Sequence, residues 1–221
     1  DKDSDFVAYL NLWDYLINAQ LQHSKSQFRK LCKQEFISYL RVREWQDLVF
    51  QIEQSVAELG FKVPAKVIVE DNAESHDDEL ADLPAKQRDY QALHTALLTG
   101  LLSHIGSKLV KDDKASKHKE KGRPAPLGYQ GARNSNFHIF PGSHLFKTNA
   151  KWVMAAELVE TSKLYARYAA KIEPDWIEPL AQHLINRSYS EPHWDEKQGA
   201  VLAFEKQTLF GLVIVAKRRV Q

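Results

Sequence analysis

The sequence predicts an α+β chain, a helical N-terminal piece followed by a small five-stranded barrel with a helix inserted between its strands. Three observations carry this. Apolar residues recur three or four apart through the first quarter of the chain, most clearly at Trp45, Leu48, Val49, Ile52, Val56 and Leu59. Beyond residue 127 the pattern changes to short strand-like runs with one helix among them. Two poorly hydrophobic stretches of opposite charge punctuate the chain: residues 67–89 carry net −6 and residues 107–125 carry net +4.

Taken in order, Ser4 is placed to cap a helix running to about Gln22, with Phe6, Leu10, Trp13, Leu16 and Ile17 on one face. A second helix is expected around Lys25–Gln34 and a third over Ile37–Leu59, closed by Gly60 where a left-handed cap is favoured. Residues 1–61 thus form one helical segment. Residues 62–88 read as an acidic mobile loop, because Asp71 to Asp82 lacks aromatics and has little to bury. Asp89–Ser103 is a nearly uncharged helix with Leu93, Leu97, Leu98, Leu101 and Leu102, expected to be buried on most of its surface against a sheet. Residues 107–127 read as a second mobile loop, rich in Lys and ending in Pro124 and Pro126. Phe137–Phe140 and Trp152–Val159 read as strands and Pro174–Asn186 as a helix. Ala200–Phe204 and Thr208–Ala216 read as a last strand pair across a turn at Glu205-Lys206-Gln207. Residues 89–221, with their leading helix at 89–103, are therefore expected to form the barrel.

The totals narrow the function. With 43% hydrophobic and 27% charged residues the composition is that of a soluble globular protein. The single cysteine, Cys32, excludes an internal disulfide and fits a reducing compartment such as the cytoplasm. No apolar run reaches the roughly 18 residues that a spanning helix needs. The acidic start without Met reads as a cut or processed end, and Gln221 as another cut. The net charge of +1 conceals a basic second half, since residues 126–221 carry net +3, which permits a polyanionic partner.

Enzyme motifs fail. Gly100 and Gly106 are separated by five residues and followed by Ser107-Lys108, whereas a phosphate loop has four, then Lys before Ser or Thr. The histidines lack the paired spacing of a metal site. Cys32 sits in an amphipathic stretch and reads as a small, partly buried side chain. No catalytic, cofactor or metal constellation is read from the residues.

Several blocks resemble one family. Ser4-Asp5-Phe6, Asn11-Leu12-Trp13, Phe28-x-x-Leu31-Cys32 and Leu40-Arg41-x-Arg43-Glu44-x-x-Asp47-Leu48 resemble the end of the helicase-associated region of DEAH-box RNA helicases. Glu157-Leu-Val-Glu-Thr161-Ser162-Lys163-Leu-Tyr165-Ala-Arg167, with Asp175-Trp176, resembles the signature of that family's oligonucleotide-binding (OB) fold. Tyr189-Ser-Glu-Pro-His-Trp194 and Gly199-Ala-Val resemble the bacterial HrpA-type branch. The resemblance spans nearly the whole chain outside the two loops.

It implies an accessory region that keeps single-stranded RNA engaged while motor domains outside this chain hydrolyse ATP with Mg. It implies no cofactor here. The candidate RNA contacts are Thr161, Ser162 and Lys163 for phosphates, Tyr165 and Phe140 for bases, and Arg167, Lys147 and Ser143 beside them. Phe140-Pro141-Gly142-Ser143 stands where relatives often carry His-Pro-Ser. Arg41 and Arg43 read equally as RNA contacts or as partners of Glu44 and Asp47 on a solvated helix face. The stretch 162–168 is open between strand and helix, and Lys163 and Arg167 share a face in either. Two other readings stay open: a module recruiting a protein that regulates the motor, and a stand-alone single-strand-binding barrel, with DNA as a further ligand.

Overall fold

The computed structural model describes residues 1–62, 89–109, 128–196 and 199–220. The expected acidic loop, apart from Lys62, and residues 110–127 of the expected Lys-rich loop lie outside them. The chain divides into two compact units, Asn11–Lys86 and a second made of Asp1–Leu10 with Gln87–Gln221. No helix among the described residues is long and apolar enough to cross a membrane.

The first unit is built from helices α1 (Asp5–Gln22), α2 (Lys25–Gln34) and α3 (Tyr39–Glu58), α1 giving its first residues to the other unit. Ser24 and Gln27 form a reciprocal capping box on α2, and the Ser38 hydroxyl accepts the Arg41 N–H at the start of α3. Leu16, Ala19, Phe28, Cys32 and Val42 make the core. α3 ends as the sequence predicts. Gly60 takes φ +84°, its N–H donates to the Ala57 carbonyl, and the Phe61 N–H donates to that of Val56.

The buried stripe of α3 differs from the expected one. Val42 is buried and Trp45, Val49 and Val56 are half-buried, but Leu48 and Ile52 are 54% and 53% exposed. The core around α3 covers a narrower strip than the sequence presents. Trp45 meets Trp13 edge to face with centroids 4.9 Å apart. Trp45→Ala is therefore expected to cost about 2 kcal/mol, below the value for a fully buried Trp. An unchanged chemical-denaturation midpoint would show that the ring contributes nothing.

The second unit contains the barrel. Helix α4 (Tyr90–Leu101) leads into β1 (Ile105–Lys108), followed by β2 (Tyr129–Gly131), β3 (Asn136–Ile139), β4 (Trp152–Glu160) and β5 (Leu164–Lys171). The strands close in the order β1-β2-β3-β5-β4, all antiparallel except β3 with β5. Phe137, Leu145, Val153, Ala155, Ala166 and Ala169 fill the interior, one large ring set against small side chains. Gly106 makes room for that ring: a Cβ there would lie 2.4 Å from Phe137. β4 is buried on both faces. Val153 and Ala155 look into the barrel, while Met154 packs outside with Leu98, Leu102, Ile172 and Ile177. α4 buries one side, through His94 and Leu98, rather than most of its surface; Ala92, Ala96 and Thr99 are exposed.

The C-terminal region departs most from expectation. The expected helix over Pro174–Asn186 is a 3-10 turn at Pro174–Trp176 and a short α5 (Ile177–Ala181), because β6 (Ile185–Asp195) already begins there. Glu205-Lys206-Gln207 is not a turn but lies inside β7 (Ala200–Leu209), with Glu205 and Gln207 buried on one side of the strand. The turn is Phe210-Gly211, with φ +48° and +85°, the two-residue geometry that matches strand twist, and β8 (Leu212–Val220) follows. β6, β7 and β8 form a separate three-stranded sheet outside the barrel. Glu178 on α5, Glu205 on β7 and Arg218 on β8 hold it to α5. Arg218 donates to Glu178 at 2.7 and 2.8 Å and to Glu205 at 2.6 and 3.0 Å.

The first residues of the chain complete this unit. The Lys171 N–H donates to the Asp3 carbonyl at 2.8 Å, and Ser4 bridges Ala170. Ser4 is buried against His94, with Oγ 2.7 Å from Nε2. The His94 Nδ1 faces the Tyr90 carbonyl at 2.6 Å and so carries the proton. Nε2 then accepts from the Ser4 hydroxyl, which in turn accepts the Val7 N–H as a helix cap. Burial pushes this imidazole below its usual pKa, against the opposing pull of the Tyr90 carbonyl.

Candidate nucleic-acid interface

β3 and β5 run parallel only through His138↔Tyr165 and Ile139↔Ala166. Strand alternation puts Ala166 inside the barrel and Tyr165 and Arg167 outside. The stretch left open by the sequence is thus extended from Leu164 onward. Phe140, just past the end of β3, meets Tyr165 edge to face at 6.2 Å. The Arg167 guanidinium lies 5.3 Å from the Phe140 ring centre and 5.5 Å from that of Tyr168. Across the β4–β5 ladder it pairs with Glu157 at 3.5 Å.

Tyr168 breaks the alternation. Its φ of +52° lies in the left-handed region, which costs a tyrosine of order 1 kcal/mol and persists only when the surroundings impose it. The result is that Arg167 and Tyr168 both point outward and Ala169 and Ala170 are both buried. Asp5 holds the distortion. Its buried carboxylate accepts the Ala169 N–H at 2.8 Å, the Ser143 hydroxyl at 2.6 Å and the His144 N–H at 2.9 Å. Tyr9, one turn further along α1, sets its ring edge to face against Tyr168 at 5.7 Å. Burial first, then the neighbouring Tyr168 and Asp5, raise the Tyr9 phenol above its usual range.

Phe140, Tyr165 and Arg167, named from sequence, are therefore one cluster. Thr161, Ser162 and Lys163 form the exposed tip of the β4–β5 hairpin, closed by the Thr161 N–H donating to the Lys163 carbonyl at 3.0 Å. Lys147 is exposed on the 3-10 turn His144–Lys147. The Ser143 hydroxyl is occupied by Asp5 and by the Leu145 N–H. Arg41 and Arg43 belong to the helical unit, where Arg41 pairs with Glu44 at 2.6 Å. Sequence reasoning missed Tyr9, Tyr168, His138 and Asp5. The signal for Asp5 was present, because Ser4-Asp5-Phe6 was itself one of the family-like blocks. Among the described residues no group of His, Cys, Asp and Glu could hold a metal ion.

Residues 93–185 match the model of the oligonucleotide/oligosaccharide-binding fold. Over 220 residues and the whole of this chain, the sequence is 52% identical to the ATP-dependent RNA helicase HrpA of Escherichia coli and 50% identical to the HrpA homolog of Haemophilus influenzae. The chain spans 14% of the length of each. The solved Escherichia coli DExH-box NTPase HrpB aligns with 59% of this chain and 14% of its own, at 18% identity and a TM-score of 0.37. Over its whole length the chain therefore matches the C-terminal region of HrpA-type RNA helicases, and residues 93–185 within it match an OB fold.

Proposed function

We propose that this region holds single-stranded RNA for the motor domains of an ATP-dependent helicase, where ATP and Mg would be bound. The supporting observation is the cluster of exposed Phe140 with half-buried Tyr165 and Arg167 on the barrel, with exposed Lys163 at the adjoining hairpin tip. A cation set among rings supplies both a phosphate contact and faces for bases. Glu157 competes for Arg167, but at 3.5 Å and with both side chains exposed the pair is weak and exchangeable.

In the intact helicase, Lys163→Ala with Arg167→Ala is expected to weaken single-stranded RNA binding about equally for different sequences. The log–log salt dependence should flatten by about 1.4, roughly 0.7 per lost phosphate contact. An affinity and a slope equal to those of the parent would remove these residues from the RNA path. One feature favours the other reading, a module for a protein partner: the edge strand β6 exposes Tyr189 and Trp194.

A further inference from the structure

We propose that Phe140, Tyr168 and Tyr9, gathered around Arg167, form a nucleobase-stacking platform built jointly by the barrel and the first helix, so that single-stranded RNA is gripped by its bases as well as its phosphates. This rests on the RNA-holding reading above and adds Tyr9 and Tyr168, with the backbone device that presents them, to the residues that meet the bases.

The rings are where a base can reach them. Phe140 is 39% exposed, Tyr168 38% and Tyr9 46%. In a regular strand Tyr168 would follow Ala166 into the barrel, and Arg167 alone would face out. Instead the left-handed backbone at Tyr168 sends the ring outward beside Arg167. The Asp5 carboxylate fixes this by taking the next N–H, that of Ala169. Strain held in place by a dedicated buried acid is what a preorganised contact surface requires.

The ring geometry suits stacking. Phe140 and Tyr165 meet at 89°, and Tyr9 and Tyr168 at 64°. An edge-to-face pair covers one face of one ring only, whereas a parallel stack covers a face of both. Arg167 keeps its guanidinium against two rings, so the same residue can meet a phosphate while a base lies on a neighbouring ring. Stacking needs unpaired bases and reads no particular one, which selects single strands without sequence preference.

The test uses the intact helicase and two single-stranded RNA oligonucleotides of equal length, one carrying 2-aminopurine and one abasic at the same position. Binding is expected to quench the 2-aminopurine fluorescence. Tyr168→Ala and Phe140→Ala should each lose most of that quenching and bind the base-bearing strand about tenfold more weakly. Tyr168→Phe should retain both. The abasic strand should bind the parent and the Ala variants alike, and the salt slope should not change. Phe140 is on the surface, so its variant reports even if Tyr168→Ala perturbs the fold. If the Ala variants bind both strands as the parent does, while the Lys163/Arg167 pair still flattens the salt slope, the platform is wrong and RNA holding stands. If the cation pair leaves the slope unchanged, both fall.

Discussion

Replacing Asp5 with Ala is expected to destabilise the barrel unit by about 4 kcal/mol, the largest single effect foreseen outside its core. Asp5 is only 4% exposed, and its carboxylate receives the Ser143 hydroxyl, the His144 and Ala169 N–H groups, and the His144 ring at 3.0 Å. Hydrogen bonds to a charged acceptor contribute about 1.5–3 kcal/mol each, and a buried N–H left without a partner costs about 1–3 kcal/mol. Ala strands the buried Ala169 N–H and takes the acceptor from the part-buried His144 N–H. For a chain of this size the loss corresponds to a melting temperature lower by roughly 10 °C. Asn should fall about halfway, since its oxygen serves some donors while its NH2 group faces another. Unchanged melting of Asp5→Ala would mean that the donors find other acceptors. Tyr168 would then be held outward by something else.

Arg218→Met should cost about 2 kcal/mol at neutral pH. The figure is below that for a fully buried pair because Arg218 is 42% exposed and Arg187 remains near Glu205, at 3.3 Å. Removing the guanidinium leaves Glu178 and the buried Glu205 to repel each other. The effect should depend on pH in a defined direction. Hydrogen bonds from Arg218 first and Gln207 second lower the Glu178 carboxyl from 4.5 to about 2. A carboxyl whose folded pKa is depressed stabilises the fold above its unfolded pKa, and this is lost as pH falls through the folded value. The gap between parent and variant should therefore be full at neutral pH and close between about pH 4.5 and 2. Unfolding curves at several pH values would show this; a gap independent of pH would remove Glu178 from the clamp.

The parts of the fold legible in the sequence are those where one residue type serves one purpose. Gly60 ends α3 because only a left-handed cap fits there, and β4 is a plain apolar run. The first two strands escaped notice because packing overrode propensity. β1 and β2 carry Gly106 and Gly131, small because the Phe137 ring lies against them, and glycine weakens a strand signal. β5 is Leu-Tyr-Ala-Arg-Tyr-Ala-Ala-Lys, whose alanines fit a narrow barrel interior yet read as readily as a helix. Glu205 and Gln207 looked like a turn because buried polar residues need partners the sequence does not display; here the partners include Glu178 and Arg218. At the site, Phe140, Tyr165 and Arg167 lay in blocks that drew attention to themselves. Tyr9 and Tyr168 meet only through the fold, and no local pattern joins residues so far apart.

The latch between Asp5 and Ala169 closes across a sequence separation of 164 residues. A ribosome adding about 5–20 residues per second needs roughly 10–30 s between synthesising the two. Through that interval the first residues of the chain wait without their partner, while the helices that follow already have everything their own core requires. The aromatic surface therefore cannot be completed until β5 has been made. A chain stalled before Ala169 would carry a completed helical unit and an unfinished, adhesive barrel. That brief window is where a chaperone would matter most.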